Sequence, residues 1–300
     1  MARRHLLMLL ALAAIWGASF MFIKVAAEEM SASAVVTGRV LLGVLGLLPA
    51  VPFVLGWRRT WSELRRHARS LALLGILNAA VPFWFLTWSE QHIDSGLAAV
   101  LQASMPLFTA LLAFGFSSAE RVGGWRLAGV LVGFVGVALL VGAQPQGDIL
   151  AALAVLLTAF CYAVGALYGA RKLRGVHPLV ISLGSLLAAS AVSLPFGLAQ
   201  PPSDVPSWRA LGSVAALGIV GLSVAYLLYF ALVVGPGASY AALVTYLVPA
   251  LALGYGAIFL NEGIGSSAIA GLVLILAGVA LGTGTLRLRR RREEALGQAP

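Results

Sequence analysis

The sequence predicts an all-α integral membrane protein, ten transmembrane helices in two inverted five-helix repeats, with the N- and C-termini cytoplasmic. Three observations carry this. Of 300 residues 60% are hydrophobic and only 10% charged, against roughly a quarter charged in a soluble domain. Apolar runs of the length that crosses a bilayer, about 20 residues, recur along the whole chain with short polar connections. The second half of the chain repeats landmarks of the first.

The runs fall at about 5 to 27, 33 to 55, 70 to 89, 95 to 117, 124 to 142, 148 to 170, 178 to 198, 208 to 232, 238 to 260 and 265 to 286. The first follows Arg3 and Arg4 and contains Ala11, Ala13 and Ala14, features shared with a cleaved leader. It runs past twenty apolar residues, and its removal would spoil the repeat, so it is expected to stay as a span. It carries Trp16, Ser19, Phe20 and, near its end, Lys24. The second places Arg39 about seven residues in, roughly 10 Å deep at 1.5 Å per residue. An intramembrane charge is a functional candidate by default. The alternative is that Arg39 snorkels outward or pairs with Glu28 or Glu29.

The third span puts Trp84, Thr87 and Trp88 on one face and Asn78 about 120° away. The two faces can line one space only if Pro82 turns the helix. Otherwise Asn78 suits a buried hydrogen bond between helices, and Trp88 an interfacial aromatic belt. On the fourth, Gln102, Met105 and Thr109 share a face beside Pro106. The fifth and tenth carry Gly129-xxx-Gly133 and Gly278-xxx-Gly282, small-residue patches that let backbones approach within the monomer or across a homodimer. The sixth holds Tyr162 and the single cysteine, Cys161, which excludes a disulfide framework and any paired-cysteine metal site. The eighth offers Tyr226 and Tyr229, and the ninth Thr245, Tyr246 and Pro249. Two prolines at matching places in the fourth and ninth spans suggest paired bends around a cavity, with plain helix curvature as the alternative.

Charge fixes the orientation. Of 20 Lys and Arg residues, all but Lys24, Arg39 and Arg209 fall in alternate connections or termini, which the positive-inside rule makes cytoplasmic. The excess of base over acid, net +9, is thereby explained without nucleic acid. The terminal cluster Arg287 to Arg292 is either an orientation anchor or a contact for anionic lipid.

The repeat is ordered. Ala98-Ala99, Pro106, Glu120, Gly129, Gly136-Val137-Ala138-Leu139 and Gly142 are matched by Ala241-Ala242, Pro249, Glu262, Gly271, Gly278-Val279-Ala280-Leu281 and Gly284. The offset is 143 residues up to the prolines and 142 from the glutamates onward. This divides the chain into repeats at 1–142 and 148–286 and a basic tail at 287–300. Five spans per repeat is odd, so the halves enter the membrane from opposite faces. In such an inverted repeat, a site near the midplane can be exposed to either side in turn.

These features, with Trp16-Gly17 and Glu120-Arg121 before the fifth span, resemble the EamA-type members of the drug/metabolite transporter superfamily over nearly the whole chain. Within it the chain is most similar to the bacterial YddG-like exporters of aromatic amino acids. The resemblance implies a multi-pass protein of the bacterial inner membrane that exports amino acids or similar amphipathic metabolites. The expected partners are a small-molecule substrate and the lipid bilayer. The candidate substrate-binding residues are Trp16, Phe20, Arg39, Asn78, Trp84, Gln102, Met105, Tyr162, Tyr226, Tyr229, Thr245 and Tyr246, aromatic walls with a few polar handles.

All 11 acidic residues lie in loops or within about a turn of a span end. A deep carboxylate, the usual partner of an organic cation or proton, is therefore not expected, which weighs against multidrug efflux of lipophilic cations, although Glu90 or Glu262 could still reach inward from an outer end. A non-transporting ligand sensor is a further alternative. No phosphate-binding GxxxxGK[ST], HExxH or GxSxG is present, so no enzymatic activity, metal or cofactor is expected.

Overall fold

The computed structural model describes residues 3–116, 124–142 and 149–282. Glu120-Arg121, Asp148 and the tail 287–300 lie outside them. Every regular element among the described residues is helical. Seven helices are long and apolar enough to cross a membrane: α1 (Arg3–Ala27), α2 (Ala32–Val54), α3 (Ala68–Glu90), α4 (Ser95–Leu112), α6 (Ile149–Lys172), α7 (Pro178–Ala199) and α8 (Trp208–Val234). Three shorter apolar helices stand at the other expected places: α5 (Leu127–Val141), α9 (Val244–Phe259) and α10 (Ser266–Leu281). The polar stretch after α2 forms a further helix, Trp57–Arg66. Its Trp57 and Trp61 are exposed, and the Arg65 guanidinium lies 4.7 Å from the Trp61 ring centre.

The repeat is visible in the packing. Helix α1 lies against α8 and α9, and its counterpart α6 lies against α3 and α4. Likewise α2 packs on α8 and α7 on α3, while α2–α7, α4–α9 and α5–α10 pair with their own counterparts. Exchanging the halves leaves this pattern unchanged, as a two-fold relation requires.

The glycine patches serve within the chain. A Cβ at Gly278 would stand 2.5 Å from the Gly133 Cα and 2.6 Å from the Gly129 carbonyl oxygen, so α5 and α10 touch backbone to backbone. This is the intramolecular alternative of the two the spacing allowed.

Both repeats also carry a π-helical segment at the same place, Ile76–Ala80 in α3 and Ala216–Val224 in α8. In α3, Pro82 follows after Val81 and has no N–H to give to the preceding turn. The wider turn re-phases the side chains around it, which meets the condition under which Asn78 and the Trp84 face can turn to neighbouring surfaces.

The proline expectation needs correction. Helix α4 does break at Ala103–Ser104, beside Pro106. Helix α9 instead runs unbroken through Pro249, and its interruption lies earlier, between Ala241 and Val244. The bends are not paired at the prolines. Neighbouring carbonyls can accommodate a membrane proline without a break.

Candidate functional site

Arg39 is the centre of the site. It is 5% exposed, and its guanidinium lies 3.9 Å from the ring centre of Phe83 on α3. A desolvated contact of this kind is worth about 2 kcal/mol, yet it satisfies no N–H. Nε and Nη1 have no hydrogen-bond partner among the described residues. Tyr162 on α6, Tyr226 on α8 and Glu90 at the end of α3 lie in its neighbourhood. The snorkelling alternative is therefore overturned, and so is pairing with Glu29. That carboxylate accepts from the Ser207 N–H and hydroxyl, each at 2.6 Å, at the start of α8.

Around Arg39 stand the aromatic residues. The Trp84 indole N–H donates to Ser33 on α2 at 3.1 Å, and its ring is parallel to Trp88 at 6.5 Å. Phe83, Trp84, Tyr162 and Tyr226 belong to one packed cluster. Gln102 lies close to Tyr162, and its Oε1 is buried without a hydrogen-bond partner among the described residues. Asn78 faces α6 at Gly165, where a Cβ would collide with its amide. Its Oδ1 is also unpartnered among the described residues, so the expected interhelical hydrogen bond is not made by that atom.

A second aromatic group adjoins the first. Trp16 donates from its indole to the Gly221 carbonyl in the π segment of α8, at 3.2 Å, and lies 5.8 Å from Tyr229. Phe230 links Tyr229 to Tyr226, at 5.8 and 6.2 Å. Other expected residues do different work. Phe20 is buried in the main core, and Tyr246 packs against that core. The Thr245 hydroxyl is used on its own helix, donating to Ala242 at 2.8 Å. Met105 is half-buried and its carbonyl accepts from Thr109 at 3.0 Å. Two clefts of about 210 Å³ lie elsewhere, one at Asp94, Leu253 and Glu262, the other between α1 and α8 at Ala14, Phe22 and Val220.

Glu90 stands outside the expected binding residues, although a carboxylate at a span end can reach inward. Although it ends α3, it is 0% exposed, and neither carboxylate oxygen has a hydrogen-bond partner among the described residues. Glu90 keeps its expected place at a span end, but its carboxylate is turned inward and enclosed by the protein. Lys24 approaches without pairing with it, donating instead to the carbonyls of Glu90 and Ile93 at 2.6 and 3.0 Å. Glu262 is engaged too. Asn261 takes φ 56°, and the turn sets Glu262 on the first turn of α4, accepting from Ser95 N, Ser95 Oγ and Gly96 N at 2.8, 2.9 and 3.1 Å. A carboxylate at a helix N-terminus satisfies donors that have no partner within the helix.

Helices of this length and apolarity, folded as two repeats about a buried polar site, define a multi-pass membrane protein. The chain belongs to the EamA-like transporter family, whose profile matches residues 3–142 and 149–283. An "Uncharacterized transporter" of Archaeoglobus fulgidus is 26% identical over 88% of this chain and 93% of its own. A "Probable amino-acid metabolite efflux pump" of Salmonella typhimurium is 29% identical over 97% and 98%. A crystal structure of a protein 20% identical in sequence shares the fold, with a TM-score of 0.66 over 97% of this chain and 99% of that one.

Proposed function

We propose that this transporter exports amino acids, aromatic ones among them, across the bacterial inner membrane by alternating access. The single observation that carries the reading is Arg39, a buried guanidinium with two unpartnered nitrogens resting on Phe83, which packs in one cluster with Trp84, Tyr162 and Tyr226. Such a group suits a carboxylate, and the rings suit an apolar side chain. The similarity to a protein named as an amino-acid metabolite efflux pump agrees. In this reading the chain has ten spans, α5, α9 and α10 included, in two inverted repeats with cytoplasmic termini. The connections tied together by Lys24, Glu29, Gln91 and Glu262 then lie on the outer side. Substrate binding falls to Arg39, Trp84, Gln102, Tyr162 and Tyr226, with Trp16, Asn78 and Tyr229 beside them.

The test is uptake of labelled phenylalanine or tryptophan into proteoliposomes of purified protein, with and without a pH gradient, beside Gln102→Ala. Uptake by the wild type that the variant loses is the expected result. Absence of uptake for every aromatic amino acid would reject the substrate assignment. One observation favours a second reading: the buried, unpartnered Glu90 is a fitting partner for a lipophilic cation. Transport of such a cation in place of amino acids would select it.

A further inference from the structure

One face of α3 carries two unpartnered polar groups, Thr87 and Glu90, and a third, Arg39 of α2, rests on it. Phe83, Thr87 and Glu90, spaced by four and three residues, share that face. Arg39 sits on Phe83 with two unpartnered nitrogens, the Thr87 hydroxyl is 0% exposed without a partner, and the Glu90 carboxylate is likewise enclosed and unpartnered. Buried polar groups are nearly always hydrogen-bonded, so three together need an explanation. Pairing of Arg39 with Glu90 does not supply it, for no ion pair joins them among the described residues. The other nearby charges are occupied otherwise: Lys24 holds two carbonyls and Glu262 caps α4.

The spacing has a chemical match. Along α3 the backbone rises about 10 Å from Phe83, on whose ring Arg39 rests, to Glu90, and this rise between the two helix positions sets the scale of the gap between guanidinium and carboxylate. The two charges of an α-amino acid lie about 3 Å apart, and a charge-assisted hydrogen bond of about 2.8 Å at each end makes a span of roughly 8 to 9 Å. We propose that Arg39 and Glu90 form a clamp for a zwitterion, Arg39 taking the α-carboxylate and Glu90 the α-ammonium, with the Thr87 hydroxyl between them. The clamp deepens the amino-acid reading and rests on it. It assigns Glu90 to substrate recognition and makes the paired charges, rather than the aromatic side chain, the first requirement for a ligand.

The experiment uses the full-length protein purified in detergent and follows its thermal stabilisation as ligand is titrated. Three ligands share one ring: phenylalanine, phenethylamine without the carboxylate, and 3-phenylpropanoate without the ammonium. For the wild type, the half-saturating concentration of phenylalanine should lie at least about tenfold below that of either analogue, since each analogue leaves one buried charge unmatched. Glu90→Gln should bring phenylalanine level with 3-phenylpropanoate, and Arg39→Gln should bring it level with phenethylamine. A merely structural role would weaken all three ligands alike. Equal binding of phenylalanine and either analogue by the wild type overturns the clamp, with the amino-acid reading intact, and decides the matter even if a variant fails to fold. Should phenethylamine bind tightest, the clamp falls in favour of a cation site. If none of the twenty amino acids stabilises the protein, clamp and amino-acid reading fall together.

Discussion

Substitution of Gly278 by alanine tests the backbone contact between α5 and α10, the most extensive pairing of two helices among the described residues. The new Cβ would stand 2.5 Å from both Cα and N of Gly133 and 2.6 Å from the Gly129 oxygen, whereas non-bonded heavy atoms rest about 3.5 Å or more apart. The obstructing atoms are backbone, so no rotamer change relieves them, and the helices must part by about 1 Å. Overpacking of this kind costs about 1 to 3 kcal/mol. Gly254→Ala is the control, because nothing lies within 4 Å of its Cβ position, and alanine there gains up to about 1 kcal/mol of helix propensity. Thermal unfolding in detergent, followed by circular dichroism, should rank the control above the wild type and Gly278→Ala below it. Gly278→Ala as stable as the control would refute the contact. A change of oligomeric state without loss of stability would instead place the glycine face at a dimer contact.

Two further outcomes are expected. Glu262→Ala strips the acceptor from Ser95 N, Ser95 Oγ and Gly96 N, at a cost of about 1 to 3 kcal/mol. Backbone amides at the start of α4 should then exchange hydrogen faster, with Glu262→Gln intermediate, and unchanged exchange would count against the cap. The Ser207 hydroxyl and N–H hold the Glu29 carboxyl below the usual glutamate range. The unfolded chain therefore binds that proton more readily, so the tie contributes stability above about pH 4.3 and loses it as pH falls through the lower folded value. Glu29→Gln should trail the wild type in melting temperature between about pH 6 and 7, and the gap should close as the pH falls through the folded value of Glu29. A gap that persists at low pH would disprove the linkage.

Much of the fold was legible because its signals are repetitive. Apolar length locates a helix without reference to its neighbours, and the glycines at 133 and 278 fixed a close approach, though not with which partner. The site was harder to read. Arg39 drew notice as a charge inside a span, but its direction depends on Phe83, 44 positions along the chain. Glu90 was discounted because it ends a helix. Whether a terminal side chain turns to solvent or inward is decided by α1 and α2 beside it. Thr245 erred in the opposite way, since a threonine hydroxyl satisfied on its own helix looks in sequence like one free to bind a ligand. The π segments have no sequence signature beyond Pro82, and the one in α8 lacks even that.

The hydrogen bond from Trp16 to Gly221 joins residues 205 positions apart. At about 5 to 20 residues per second of synthesis, the first helix enters the bilayer roughly 10 to 40 s before its acceptor exists. Throughout that interval its indole donor and the face later covered by α8 and α9 must be held by lipid, by the insertion machinery or by temporary neighbours. Neither repeat completes its own surface, so biogenesis, rather than the finished fold, is where a truncated or delayed second half would first be felt.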